Sequence, residues 1–211
     1  MSHTLAAEVL STARALNASG INRGTSGNVS ARNLDGHFVI TPTGMDYAAM
    51  DADDIVAMSM DGTYSGARKP SSEWRFHRDI YAAKSDVGAV VHTHSAFATA
   101  LACMGRDIPP FHYMIARFGG PDVRCAAYAT FGTQELSDAA LVALQGRRGC
   151  LLAHHGMIVC GADLKQALAL AVELETLCEQ YWRVLQIGPA RLLPDDEMDR
   201  VLQKFSTYGQ Q

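Results

Sequence analysis

The run Ala89-Val90-Val91-His92-Thr93-His94 constrains this chain more than any other segment. Its apolar half reads as a strand buried in a sheet, and that strand ends in polar residues. Strand side chains alternate between faces, so His92 and His94 stand side by side on one of them. Two imidazoles so placed can chelate a divalent metal. A lone His-x-His also ends many ordinary strands, so its meaning rests on what the rest of the chain brings to it.

Around this strand the chain alternates helical and extended patterns. Leu5, Val9, Leu10, Ala13 and Leu16 recur at helical spacing up to Gly20. Short β-type runs follow at 29–32 and 37–41, separated by the turn-like Asn33-Leu34-Asp35-Gly36, with another at 55–60. A helix is expected over 72–83, a second capped by Ser95 and running to Met104, and a third starting at Thr133 or Ser137 and running through Leu144. Strands at 151–154 and 158–160 precede the longest helix, from near Asp163 to near Gly188. With no repeat, linker or low-complexity run, residues 1–211 read as one domain, a mixed sheet covered by helices.

Charge excludes some partners. A net charge of -4 without a Lys/Arg block is not the footprint of a nucleic-acid binder. No stretch has the length of a membrane span or the apolar core of a signal peptide, so a soluble, cytoplasmic protein is expected. The five cysteines form no CxxC pair and sit among apolar neighbours, which reads as reduced core residues. No GxxxxGK[ST] or GxGxxG run is present, so no nucleotide cofactor is expected.

Two histidines do not complete a metal site. His154-His155 precedes Gly156 at an expected strand end, where neighbours point oppositely and one of the pair can ligate. Joined to a carboxylate at a helix start, Glu73, these histidines make a metal site more specific, since three neutral nitrogens leave positions open for substrate or base. Three loops add small residues with hydroxyl or amide donors: Gly27-Asn28, Thr43-Gly44 and Ser71-Ser72. The last opens a helix, whose free N–H groups favour an anion, and together the loops could hold a phosphate.

These segments resemble the class II aldolase/adducin family in content, order and spacing: residues 24–30, 41–44, 70–77, 92–94 and 154–156. Residues 108–116, 128–133 and 204–209 look more specifically like the L-fuculose 1-phosphate aldolases of that family. The resemblance implies an α/β fold, a three-layer α/β/α arrangement with a central, mainly antiparallel sheet. It further implies a homotetramer with active sites between neighbouring subunits. It implies Zn2+, or another divalent metal, on His92, His94 and His155, with Glu73 on or near the metal. A sugar phosphate would be held by Gly27, Asn28, Thr43, Gly44, Ser71 and Ser72.

The implied reaction is reversible cleavage of a ketose 1-phosphate to dihydroxyacetone phosphate and a short aldehyde such as L-lactaldehyde. Glu73 would act as base, best with its pKa raised toward neutrality. By the same resemblance Tyr113, from a neighbouring subunit, would protonate the alkoxide, and Tyr208 would close over the substrate. Without the resemblance, Tyr113 reads as buried packing beside Met114 and Tyr208 as part of a frayed end.

Other chemistries share the scaffold: a ribulose-phosphate 4-epimerase, a methylthioribulose-phosphate dehydratase, a sugar-acid phosphate decarboxylase. A non-enzymatic adducin-like scaffold has no use for Glu73 and three histidines. A plain metal-dependent hydrolase has none for the phosphate loops.

Overall fold

In a computed structural model, which describes residues 3–33 and 35–207, the chain opens with helix α1 (His3–Ala18) and strands β1 (Asn28–Arg32), β2 (Phe38–Ile40), β3 (Val56–Met58) and β4 (Tyr64–Ser65). Then come α2 (Trp74–Ala83), β5 (Ala89–Thr93), α3 (Ala96–Ala102), β6 (Cys125–Ala126) and α4 (Gln134–Ala143). Strands β7 (Gly149–Leu152) and β8 (Gly156–Gly161) lead into α5 (Leu164–Ile187) and α6 (Asp195–Thr207). The strands form one sheet in the order β4-β3-β2-β1-β5-β8-β7-β6. Every neighbouring pair is antiparallel except β6 and β7.

Strand alternation divides the core in two. On β5, Ala89 and Val91 pack with Val9 and Leu16 of α1 and Leu170 and Leu174 of α5. Val90 points the other way, to Phe76 and Ile80 of α2 and Leu136 and Ala140 of α4. Helices therefore cover both faces, which is the three-layer α/β arrangement the resemblance implied. Cutting a fully buried leucine such as Leu174 to alanine would cost about 2–5 kcal/mol.

The structure departs from the sequence reading in several places. Ser95 precedes α3 but its side chain does not cap it. Glu175 reaches over from α5 instead, accepting from the Phe97 and Ala98 amides and the Ser95 hydroxyl. A long-range carboxylate has displaced the local cap. Thr133 does cap α4, accepting from the Leu136 amide, while Ser137 donates to Asp79. Of the cysteines, Cys150, Cys160 and Cys178 are buried, but Cys125 is partly exposed and Cys103 exposed, because Cys125 begins the short edge strand β6 and Cys103 directly follows α3. The sequence reading also missed β4, β6 and α6. The last has acidic residues in its first turn and Lys204 in its last, matching the helix dipole. Among the described residues, no helix is long and apolar enough to cross a membrane.

Candidate active site

The site lies where the central strands end. Antiparallel pairing sets Asn28 of β1 opposite His92 of β5, and His92 opposite Ile158 of β8, the third residue beyond the β7–β8 connection. Ala153, His154 and His155 are that connection. They form a turn and not a strand end, so which histidine points inward is decided by the turn's geometry and not by alternation. His154 adopts a left-handed φ of 56° and is exposed, whereas His155 joins the cluster.

Glu73 arrives from the other direction, at the N-terminal boundary of α2, where its amide donates to Ser71 Oγ at 3.3 Å. The helix starts two residues later than the sequence indicates. The Ser71 amide donates to the Thr41 carbonyl and the Thr43 amide to the Lys69 carbonyl. These bonds tie the Thr43-Gly44 loop against Ser71-Ser72. Gly44 has φ 64°, a conformation in which a Cβ is strained. Gly27 is required by space: a Cβ there would lie 2.4 Å from Asn22 Oδ1 and 2.9 Å from the His92 carbonyl oxygen.

Glu73, His92, His94 and His155 bring one ligand atom each to within 4.8 Å of one another. His92 Nε2 is 3.0 Å from His94 Nε2 and 3.2 Å from Glu73 Oε2, and His155 Nε2 is 3.1 Å from Glu73 Oε1. Bonds of about 2.0–2.2 Å to a tetrahedral ion place ligands about 3.3 Å apart, so the set has the spacing of a metal centre. The donor chemistry fits too. His92 Nδ1 lies 2.9 Å from the Met157 carbonyl, to which it donates, so its Nε2 lone pair faces the cluster. Glu73 Oε1 is buried without a hydrogen bond, as befits an oxygen reserved for an ion or a proton.

Burial pushes the Glu73 carboxyl up, but its interactions with His92 and His155 outweigh that and hold the carboxyl well below the usual carboxylate range. The imidazoles lie against both of its oxygens, His92 against Oε2 and His155 against Oε1. His94 is pushed down to about 4, by burial first and then by His92 and His155. It keeps a free lone pair well into acid.

Above the cluster opens a cleft of about 410 Å³. Its walls include Gly27, Asn28, Thr43, Gly44, Ser71 and Ser72 together with Glu73, His94 and His155. Every phosphate and metal candidate from the sequence except His92 lines this one cavity, and His92 is fully buried. The Asn28 side chain is largely committed: Oδ1 faces His77 Nε2 and Nδ2 donates to Glu73 Oε2 at 3.0 Å. One Nδ2 hydrogen remains for another acceptor.

Tyr113 is not in this cleft. It starts a 3-10 turn, Tyr113–Phe118, and lines a separate groove together with residues of α6. With half its surface exposed, it is not the buried packing residue that its apolar neighbours indicate. Tyr208 lies outside the described residues. Sequence reasoning passed over His77, Ser30, Tyr81 and Tyr47, the last of which donates its hydroxyl to the Gly27 carbonyl. One signal was available: Glu73, His77 and Tyr81 recur every four residues along one helix face.

Three imidazoles and a carboxylate beneath a polar cleft, carried on a three-layer α/β fold, define a chain with a candidate metal centre built for small-molecule chemistry. Residues 7–182 match the class II aldolase and adducin N-terminal domain. The chain belongs to that family and is a class II aldolase, a carbon–carbon lyase. It is 58% identical over 201 residues to a 5-methylthioribulose-1-phosphate/5-deoxyribulose-1-phosphate aldolase of Rhodospirillum rubrum, covering 95% of this chain and 90% of that one. It is 46% identical to an L-fuculose phosphate aldolase of Escherichia coli, over 97% and 95% of the two chains. Among solved structures, an L-fuculose 1-phosphate aldolase superposes with a TM-score of 0.93 at 37% identity, covering 98% of this chain and all of that one.

Proposed function

We propose that the protein cleaves a ketose 1-phosphate reversibly to dihydroxyacetone phosphate and a short aldehyde, using Zn2+ or another divalent ion held by His92, His94 and His155, with Glu73 on or near it. The observation that carries this reading is the single cleft in which the Gly27, Thr43-Gly44 and Ser71-Ser72 loops face the Glu73 and histidine cluster. When bound, the ion supplies Lewis acidity, polarising the ketose carbonyl. The loops hold the phosphate through backbone amides and hydroxyls, aided by the N-terminus of α2. Glu73 Oε1, buried and without a hydrogen bond, takes the proton.

Tyr113 is the proton donor on the aldehyde side. It lies outside its own chain's cleft and is half exposed, which agrees with its serving a neighbouring subunit in a homotetramer. Tyr208 is proposed to close over the substrate. The preferred ketose is a 5-deoxy or 5-methylthio pentulose 1-phosphate, ahead of L-fuculose 1-phosphate, because the 58% identical relative carries those substrates in its name. Cleavage between C3 and C4 of the first yields acetaldehyde in place of L-lactaldehyde.

The test is release of dihydroxyacetone phosphate from 5-deoxyribulose, 5-methylthioribulose and L-fuculose 1-phosphates, with and without a chelator and with ribulose phosphates as competitors. Chelator-sensitive release, fastest from a pentulose, supports the reading. Fastest release from fuculose phosphate would reverse the substrate order, and release from none would refute the aldol assignment.

A further inference from the structure

Behind Glu73 runs a buried polar chain through Asn28 to His77, Ser30 and Tyr81, and the last three have no part in the metal or phosphate sites proposed above. Glu73, His77 and Tyr81 follow one face of α2, and Asn28 and Ser30 follow one face of β1. Four helical residues rise about 6 Å and two strand residues about 6.7 Å, so the two rows interdigitate nearly in step. The contacts alternate accordingly. Glu73 Oε2 meets Asn28 Nδ2 at 3.0 Å, Asn28 Oδ1 meets His77 Nε2 at 2.5 Å, His77 Nδ1 meets Ser30 Oγ at 2.6 Å, and Ser30 Oγ meets Tyr81 Oη at 2.7 Å.

The direction of every bond follows from one end. A carboxylate only accepts, so Asn28 presents Nδ2 to Glu73 and Oδ1 to His77. His77 must then carry its proton on Nε2 and accept at Nδ1 from the Ser30 hydroxyl, which accepts in turn from Tyr81. His77 is wholly buried, with Phe76 stacked on it at 4.7 Å between ring centres, and burial followed by the charge of His92 pushes its pKa down to about 3. The ring is neutral, as this polarity requires.

We propose that His77 is a positioning residue for proton abstraction. It fixes the Asn28 amide, which pins Glu73 Oε2 and so leaves Oε1 as the oxygen presented to substrate. The proposal rests on Glu73 being the base. With an apolar residue at 77, the Asn28 amide would lose its orienting donor and the Glu73 carboxylate its fixed plane.

The experiment compares zinc-loaded wild type, His77→Leu, His77→Gln and Ser30→Ala. It reads zinc per chain, kcat, KM, and exchange of the carbon-bound proton of dihydroxyacetone phosphate with deuterium. His77→Leu is expected to hold full zinc while kcat and proton exchange fall together by about 10–100-fold, with KM little changed. His77→Gln, which keeps a donor and an acceptor, recovers most of that loss. Wild-type kcat per zinc in His77→Leu overturns the proposal, as does an equal loss in Leu and Gln or a loss confined to KM. If His77→Leu does not fold, Ser30→Ala decides: unchanged kcat and exchange overturn the proposal, and a joint fall upholds it. Glu73→Gln separates the two assignments. Exchange surviving in Glu73→Gln defeats the base reading itself, whereas its loss there beside a fully active His77→Leu defeats only the role of His77.

Discussion

Asn28 and His92 stand opposite each other on neighbouring antiparallel strands, and both reach the same oxygen of Glu73, at 3.0 and 3.2 Å. A carboxylate from the boundary of a helix is thus held between two strands by an amide and an imidazole. Its second oxygen remains buried with no hydrogen bond.

Glu73→Gln keeps the shape of the side chain but removes its ability to accept a proton. We expect metal content to stay at the wild-type level and aldol cleavage to fall about a thousandfold. Metal analysis beside a steady-state assay checks this, and near-normal turnover would remove Glu73 from the role of base.

Tyr113 is proposed to act only on the aldehyde half of the reaction. Tyr113→Phe should slow cleavage about a hundredfold while proton exchange into dihydroxyacetone phosphate continues. Loss of both activities would contradict that division, since exchange does not involve the aldehyde.

His77 links the site to stability against pH. Its value in the folded protein is about 3 against an ordinary 6.5, so below pH 6.5 the unfolded chain takes up a proton that the native one refuses. The stabilisation is complete above pH 6.5 and is lost as pH falls toward 3. By pH 5 His77 alone should cost the metal-free protein about 2 kcal/mol, and His94 acts in the same direction. Urea unfolding of chelated protein at pH 7 and pH 5 measures this, and equal stabilities would show that the native ring takes up a proton as readily as the unfolded one.

Gly27 has no room for a methyl group between Asn22 and the His92 backbone. Gly27→Ala should destabilise the fold by about 1–3 kcal/mol through overpacking and raise KM for the phosphorylated substrate by displacing its loop. Calorimetry with substrate kinetics tests both, and an unchanged Tm together with unchanged KM would show that the loop yields without consequence.

Much of the site was legible because its residues announce themselves locally. His92 and His94 are two apart in a strand, the loops carry their own small donors, and α5 begins at a true cap, Asp163, which accepts from the Gln166 amide. Ser95 failed as a cap because Glu175 comes from 80 residues away. Strand alternation left open which of His154 and His155 faces the site, and the resemblance alone named His155; a turn and not a strand brings it into the cluster. His77 was passed over because a lone histidine in an amphipathic helix looks like any other until β1 lies beneath it.

The chain by itself determined the periodicities that make these helices and strands, and the chemistry of the side chains at their ends. Those are local properties, decided by alternation, capping and backbone sterics. Only the tertiary structure decided that β1, β5 and β8 are neighbours, so that Asn28, His92 and His155 converge on Glu73. It also decided the surroundings of Glu73, because its burial and its contacts with neighbouring imidazoles exist only once distant segments have packed together.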